Sequence, residues 1–119
     1  MSFRFSVTKR FDRTIRRLQK RYPRLKSDLA PVFASIEADP TIGVVIPKDY
    51  NIRKVRVPSS DMQKGKSGGF RLLYKLASED KDDLSATLLY IYAKSGQSDV
   101  SSSFLETLND DINELSDDQ

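Results

Sequence analysis

The chain has 119 residues, of which 38% are hydrophobic and 31% charged, a balance that suits one folded domain over residues 1–119. It has no cysteine and no histidine, which excludes disulfides and any catalysis by thiol or imidazole groups. The net charge of +3 is unevenly divided, since residues 1–75 carry 18 basic and 6 acidic side chains whereas residues 76–119 carry 2 and 11. A half this basic is a candidate for binding nucleic acid, although basic runs also occur on solvated helix faces.

The N-terminal third predicts one strand and two helices. Apolar and polar side chains alternate over residues 3–7, as in a short half-buried strand. Apolar residues at spacings of three and four then predict amphipathic helices over residues 9–22 and 24–38, separated by Pro23 as in a helical hairpin. Pro31 lies inside the second stripe and predicts a kink or a later helix start.

The remainder predicts three strands and a third helix. Residues 41–49 are interpreted as a loop or an extended link, because glycine and proline punctuate them. The predicted strands span residues 52–57, 70–76 and 84–92. The last of these is nearly unbroken in hydrophobicity toward its end, which predicts a strand covered on both faces. A helix then follows Asp99 and continues to Leu115, with residues 116–119 frayed.

This order of elements predicts an α+β fold. Sequential strands with short polar connections pair as an antiparallel meander, so we expect a mainly antiparallel sheet. The two N-terminal helices and the C-terminal helix should pack on one face of it, in two layers. The opposite face would then be free to be concave and polar.

The predicted strands carry several cations that can share a sheet face. Lys54 and Arg56 alternate with two valines, so both should point away from the helices. Arg71 lies between two apolar residues of the next strand and can face the same way. Further lysines lie in the same region, at Lys64, Lys66 and Lys94. The cluster indicates a phosphate-binding surface, and the alternative is a solvated sheet face with scattered cations.

Two other groups are candidates for contact with RNA. Tyr92 can stack on a base, although strand aromatics more often pack within the sheet. Arg13 and Arg17, on the basic side of the first predicted helix, can clamp an RNA backbone without sequence specificity. We expect no metal and no cofactor, because the acidic run at residues 79–83 lacks the spacing of a calcium loop.

Two segments resemble the RelE/HigB toxins of bacterial toxin–antitoxin systems. One is Gly-Gly-Phe-Arg-x-x-Tyr at residues 68–74, and the other is Tyr-x-Lys-Ser at residues 92–95. The order of the predicted elements is also similar. The resemblance implies a RelE-like fold and a ribonuclease that enters the ribosomal A site, cuts mRNA and so inhibits translation. It further implies a cognate antitoxin, usually encoded beside it, that silences the toxin, and we expect this partner to be of the helix-turn-helix class. The absence of cysteine fits a cytoplasmic location, and the absence of an apolar run of about 18 residues predicts no membrane partner.

The resemblance also implies roles for individual residues. Lys54 and Arg56 match the basic strand positions of the family, Arg71 matches its arginine on the following strand, and Lys94 falls in its basic segment after the last strand. Lys54 is then a candidate general base, because neighbouring cations disfavour its charged form. The general acid is open among Lys64, Lys66, Tyr92 and Lys94, because serines stand where the family often has an arginine and a tyrosine.

Two other functions fit the same sequence. A ParE-like relative would poison DNA gyrase with this fold and no nuclease activity, since fold does not fix function. A non-catalytic RNA-binding relative, or a decayed toxin, would bind RNA without cutting it.

Overall fold

A computed structural model describes residues 2–47, 50–62, 68–80, 83–94 and 99–117. It contains three helices and five strands among these residues. In chain order they are β1 (Ser2–Val7), α1 (Lys9–Gln19), α2 (Leu25–Ala38), β2 (Val44–Val45), β3 (Ile52–Val57), β4 (Phe70–Asp80), β5 (Asp83–Ala93) and α3 (Ser102–Asp117). The α+β class is therefore as predicted.

The five strands form one mixed sheet in the order β1-β5-β4-β3-β2. The meander of β3, β4 and β5 is antiparallel, as predicted, and β2 pairs antiparallel with β3. In contrast, β1 lies parallel to β5, which places the first strand at the far edge of the sheet. The link assigned to residues 41–49 was partly wrong, because Val44 and Val45 pair with β3.

The helical hairpin of α1 and α2 covers one face of the sheet. Phe11 and Ile15 of α1 and Leu29 of α2 pack in one buried cluster with sheet residues such as Leu72 and Ile91. Thr8 begins α1, since its side chain accepts a hydrogen bond of 3.1 Å from the backbone N–H of Phe11. The second helix starts at Leu25 and contains Pro31, so the later start considered from the sequence was wrong.

The third helix packs on the opposite face, which corrects the expected two-layer arrangement. Leu105 and Leu108 of α3 belong to a second buried cluster with Leu73 and Leu89. Leu73 directly follows Leu72 of the first cluster, and neighbouring strand residues point to opposite faces. The sheet is thus covered by α1 and α2 on one side and by α3 on the other. Residues 116 and 117, expected to be frayed, belong to α3.

A buried tyrosine ties the segment after α2 to the sheet. The hydroxyl of Tyr74 donates to the carbonyl of Pro40 at 2.9 Å and accepts from the N–H of Gly43 at 3.0 Å. Burial raises the pKa of Tyr74, so the hydroxyl stays protonated and keeps its donor role. A Cβ on Gly43 would lie 2.9 Å from the tyrosine ring, so only glycine allows this approach. The contact fixes the chain that leads into β2.

Candidate functional site

The strand register brings the predicted cations onto one face of the sheet. Arg56 of β3 lies directly opposite Arg71 of β4, and Arg71 lies opposite Tyr92 of β5. Directly opposed residues share a face, and Lys54, two residues before Arg56, shares it as well. We call this the cationic face, defined by Lys54, Arg56 and Arg71. The valines at positions 55 and 57 point to the helical hairpin, as predicted. The expectation that the cations point away from all three helices, toward a free face, was wrong, because α3 packs on the cationic face.

The other arginine of β3, Arg53, has a structural role, because its charge is used in hydrogen bonds within the fold. Arg53 points to the hairpin face, opposite Tyr74. Its guanidinium donates to the carbonyls of Gly43 and Thr41, at 2.7 and 3.1 Å. Arg56 differs because its side chain is exposed and directly faces another arginine. Like charges at directly opposed strand positions destabilise a sheet, so this pair contributes nothing favourable to folding.

Arg71 is half-buried and held against the start of its own strand. Its Nη1 donates to the carbonyls of Phe70 at 3.2 Å and Gly68 at 3.4 Å. That start is itself fixed, because the backbone N–H of Lys94 donates to the carbonyl of Gly69 at 3.0 Å. Gly69 has φ of 79° and no room for a Cβ, which would lie 2.6 Å from a carbonyl oxygen of β3. The sequence therefore has glycine where the backbone requires it, two residues before Arg71.

A carboxylate that sequence reasoning missed lies beside Lys54. Asp99 Oδ1 is 4.0 Å from Lys54 Nζ, in a pair whose side chains are 32% exposed on the lysine and 71% exposed on the aspartate. The carboxylate does not cap α3, because Ser101 takes that role: its hydroxyl accepts from Phe104 N–H at 3.1 Å. The negative charge of Asp99 partly offsets the positive charge of the cationic face.

Tyr92 is buried and does not lie on an open RNA-binding surface. Its side chain is 4% exposed and packs with Leu105 and Leu108 of α3. Its hydroxyl is buried and has no hydrogen-bond partner among the described residues. Burial raises the pKa of this hydroxyl, the charge of Asp99 acts in the same direction, and that of Arg71 opposes it. The ring therefore lies on the same side of the sheet as Arg71, beside it in the strand register and covered by α3.

The remaining predicted residues divide into three groups. Lys94 is partly exposed at the end of β5, next to the start of β4. Arg13 and Arg17 are exposed on α1, whose buried residues pack against the hairpin face. The structure therefore does not bring these two arginines together with the cationic face. Lys64 and Lys66 lie outside the described residues.

Comparisons with known proteins do not assign the chain to a family. No family model matches it, and no curated protein matches it at a significant level of similarity. Within the described residues, none of the helices combines the length and apolar character needed to cross a lipid bilayer. No group of three or more acidic side chains that could hold a metal ion occurs in the same residues. The resemblance to RelE/HigB toxins thus rests on the motif residues and the order of the elements.

Proposed function

We propose that this protein is a RelE/HigB-like toxin of a toxin–antitoxin pair, a metal-independent endoribonuclease that cuts mRNA on the ribosome. One observation carries the proposal. Arg56 and Arg71 are directly opposed on the cationic face, with Lys54 beside them. A pair of arginines placed against each other costs folding free energy, and a bound phosphate between them would remove that cost.

The chemistry needs no histidine, because RNA supplies its own nucleophile. The 2′-hydroxyl oxygen attacks the adjacent phosphorus, the bond to the 5′-oxygen breaks, and the products are a 2′,3′-cyclic phosphate and a 5′-hydroxyl end. Arg56 and Arg71 bind the phosphate oxygens and stabilise the charge that builds up in the transition state. Lys54 takes the proton from the 2′-hydroxyl as general base. Asp99 then stabilises the ammonium group that forms.

The general acid that protonates the leaving oxygen is open among Lys64, Lys66, Tyr92 and Lys94, and the first two lie outside the described residues. Of the two that are described, Lys94 is the better candidate. Tyr92 is covered, whereas Lys94 is partly exposed and adjoins the start of β4, where Arg71 lies. Tyr92 then serves the site through its ring, which lies beside Arg71 in the strand register.

The decisive experiment maps transcript ends in a reconstituted translation reaction. The purified protein is added to ribosomes translating a defined mRNA, and new 5′ and 3′ ends are sequenced and tested for cyclic phosphate. We expect cleavage only of translated mRNA, reduced about 100- to 1000-fold by Arg71→Met and strongly by Lys54→Ala. Lys26→Ala, an exposed lysine of α2, is the matched control and should cleave at the wild-type rate.

The other candidate functions give different results. DNA breaks and inhibition of gyrase, with intact transcripts, would replace this proposal by a gyrase poison. RNA binding without new ends would leave a non-catalytic RNA-binding protein. The proposed partner is an antitoxin encoded next to this gene, and its co-expression should restore growth to cells producing the wild-type protein.

A further inference from the structure

Arg10 links the helical hairpin to α3 on the other side of the sheet. Strand β1 ends at Val7, opposite Leu88, and the backbone N–H of Thr8 donates to the Leu88 carbonyl at 3.3 Å. Residues 89–93 of β5 extend beyond that point, with β4 as their neighbouring strand. The chain therefore enters α1 at the open end of β5. From there the side chain of Arg10 passes the sheet edge and reaches α3.

Two contacts hold Arg10 on α3. Its Nε lies 2.7 Å from Oδ2 of Asp111, and the side chains are 30% and 13% exposed. Its guanidinium carbon lies 5.6 Å from the centre of the Phe104 ring. A charge pair this sheltered is screened less by water than one at the surface, so it holds its geometry more firmly. The pair of Asp12 and Arg16 on the same helix is the opposite case, since these side chains are 51% and 76% exposed.

A chain of ring contacts through two tyrosines connects Phe104 to the cationic face. Phe104 contacts Tyr90 edge-to-face, with ring centres 4.8 Å apart. Tyr90 stacks with Tyr92 at 6.0 Å, and Tyr92 lies opposite Arg71 in the strand register. Phe104 also lies in the first turn of α3, three residues after the Ser101 cap and five after Asp99. The position of α3 on the sheet therefore determines the positions of both Tyr92 and Asp99.

We propose that Arg10 is a positioning residue, which through Asp111 and Phe104 seats α3 so that Tyr92 supports Arg71 and Asp99 adjoins Lys54. Among the described residues, the side chain of Arg10 forms its hydrogen bond and ion pair with Asp111 and not with Lys54 or the arginines of the cationic face. Its catalytic consequence rests on the proposed ribonuclease function. Its structural consequence, the seating of α3 over Tyr92, does not.

The test compares Asp111→Asn and Arg10→Met with Asp12→Asn, which removes an exposed aspartate–arginine pair on α1. We expect the first two variants to lower kcat for mRNA cleavage about 10- to 100-fold, with little change in KM for programmed ribosomes. In protein labelled at the tyrosine ring carbon Cζ, the Tyr92 signal, assigned by its loss in Tyr92→Phe, should shift. Its alkaline titration should move toward that of exposed tyrosines. Asp12→Asn should change none of these quantities.

A charge exchange separates positioning from simple loss of stability. Arg10→Asp combined with Asp111→Arg restores the ion pair and should recover most of kcat and the wild-type Tyr92 signal. If Arg10→Met fails to fold, Asp111→Asn, which keeps the side-chain shape, still carries the test. A wild-type Tyr92 signal and kcat in folded Asp111→Asn would overturn the proposal. If the wild-type protein cuts no mRNA, the proposed function fails, and the Tyr92 signal alone decides whether Arg10 seats α3.

Discussion

Removal of the Tyr92 hydroxyl should stabilise the protein. The hydroxyl is buried without a partner among the described residues, and a polar group buried in this way costs about 1–3 kcal/mol. Tyr92→Phe deletes that group and keeps the ring that packs on Tyr90. We expect the free energy of unfolding to rise by about 1 kcal/mol, which is about 4 °C in Tm for a chain of this size. Because the ring remains, mRNA cleavage should stay within about tenfold of wild type.

Tyr74→Phe is the matched control, since it makes the same substitution at an equally buried tyrosine. Here the hydroxyl has two hydrogen bonds, to Gly43 and Pro40, and its removal leaves a backbone donor and an acceptor without their partner. We expect a loss of about 1–3 kcal/mol. Urea unfolding at neutral pH measures both variants. Equal destabilisation by the two substitutions would refute the reasoning, and a stable Tyr92→Phe protein without cleavage would transfer the general-acid role from Lys94 to Tyr92.

Three further predictions concern pH, charge and salt. Burial raises the pKa of Tyr92 and Tyr74 in the folded protein. The stability that depends on keeping these phenols neutral is complete below about pH 10, where unfolded tyrosine ionises, and is lost as pH rises through the raised folded values. Urea unfolding between pH 8 and 11 should therefore show a smaller alkaline loss of stability for Tyr92→Phe than for the wild type. Arg56→Thr removes one of two opposed arginines and should raise stability at low salt by up to about 1 kcal/mol in thermal unfolding, while cleavage falls about 100- to 1000-fold. Replacement of Arg13 and Arg17 by glutamine should reduce the salt dependence of ribosome binding by about one unit of log–log slope per lost phosphate contact, and an unchanged slope in sedimentation assays would remove α1 from the interface.

The period-two pattern of β3 was sufficient to predict which side chains share a face. Lys54 and Arg56 alternate with valines, and only one of the two sets can enter the core beneath the helical hairpin. The prediction did not depend on any distant contact. To place Arg71 on the same face, the prediction also had to include the pairing of β3 with β4. Sequential strands joined by a short connection usually pair in this way.

The prediction that all three helices pack on one face of the sheet was wrong because two signals in the sequence conflict. The apolar stripe of α3 shows that the helix needs an apolar surface, but both faces of the sheet offer one. The hydrophobic run of β5, at residues 88–92, already indicated a strand covered on both faces. The usual arrangement of an α+β domain has helices on one face of the sheet, whereas that run requires cover on both. Asp99 was missed for the same reason, since its approach to Lys54 depends on which face α3 occupies.

The cationic face combines groups that weaken the fold with groups that hold them in place. Arg56 opposes Arg71, and the phenol of Tyr92 is buried beside them with no hydrogen-bond partner among the described residues. Neither arrangement favours folding. Arg56→Thr would remove the repulsion between the arginines, and Tyr92→Phe would remove the buried hydroxyl. Gly69 and the Lys94 backbone fix the start of β4, and α3 covers the phenol. Preorganised phosphate binding requires cations that are held close together before the ligand binds. The surroundings of the cationic face fix this unfavourable geometry, and a bound phosphate would stabilise it by offsetting the repulsion.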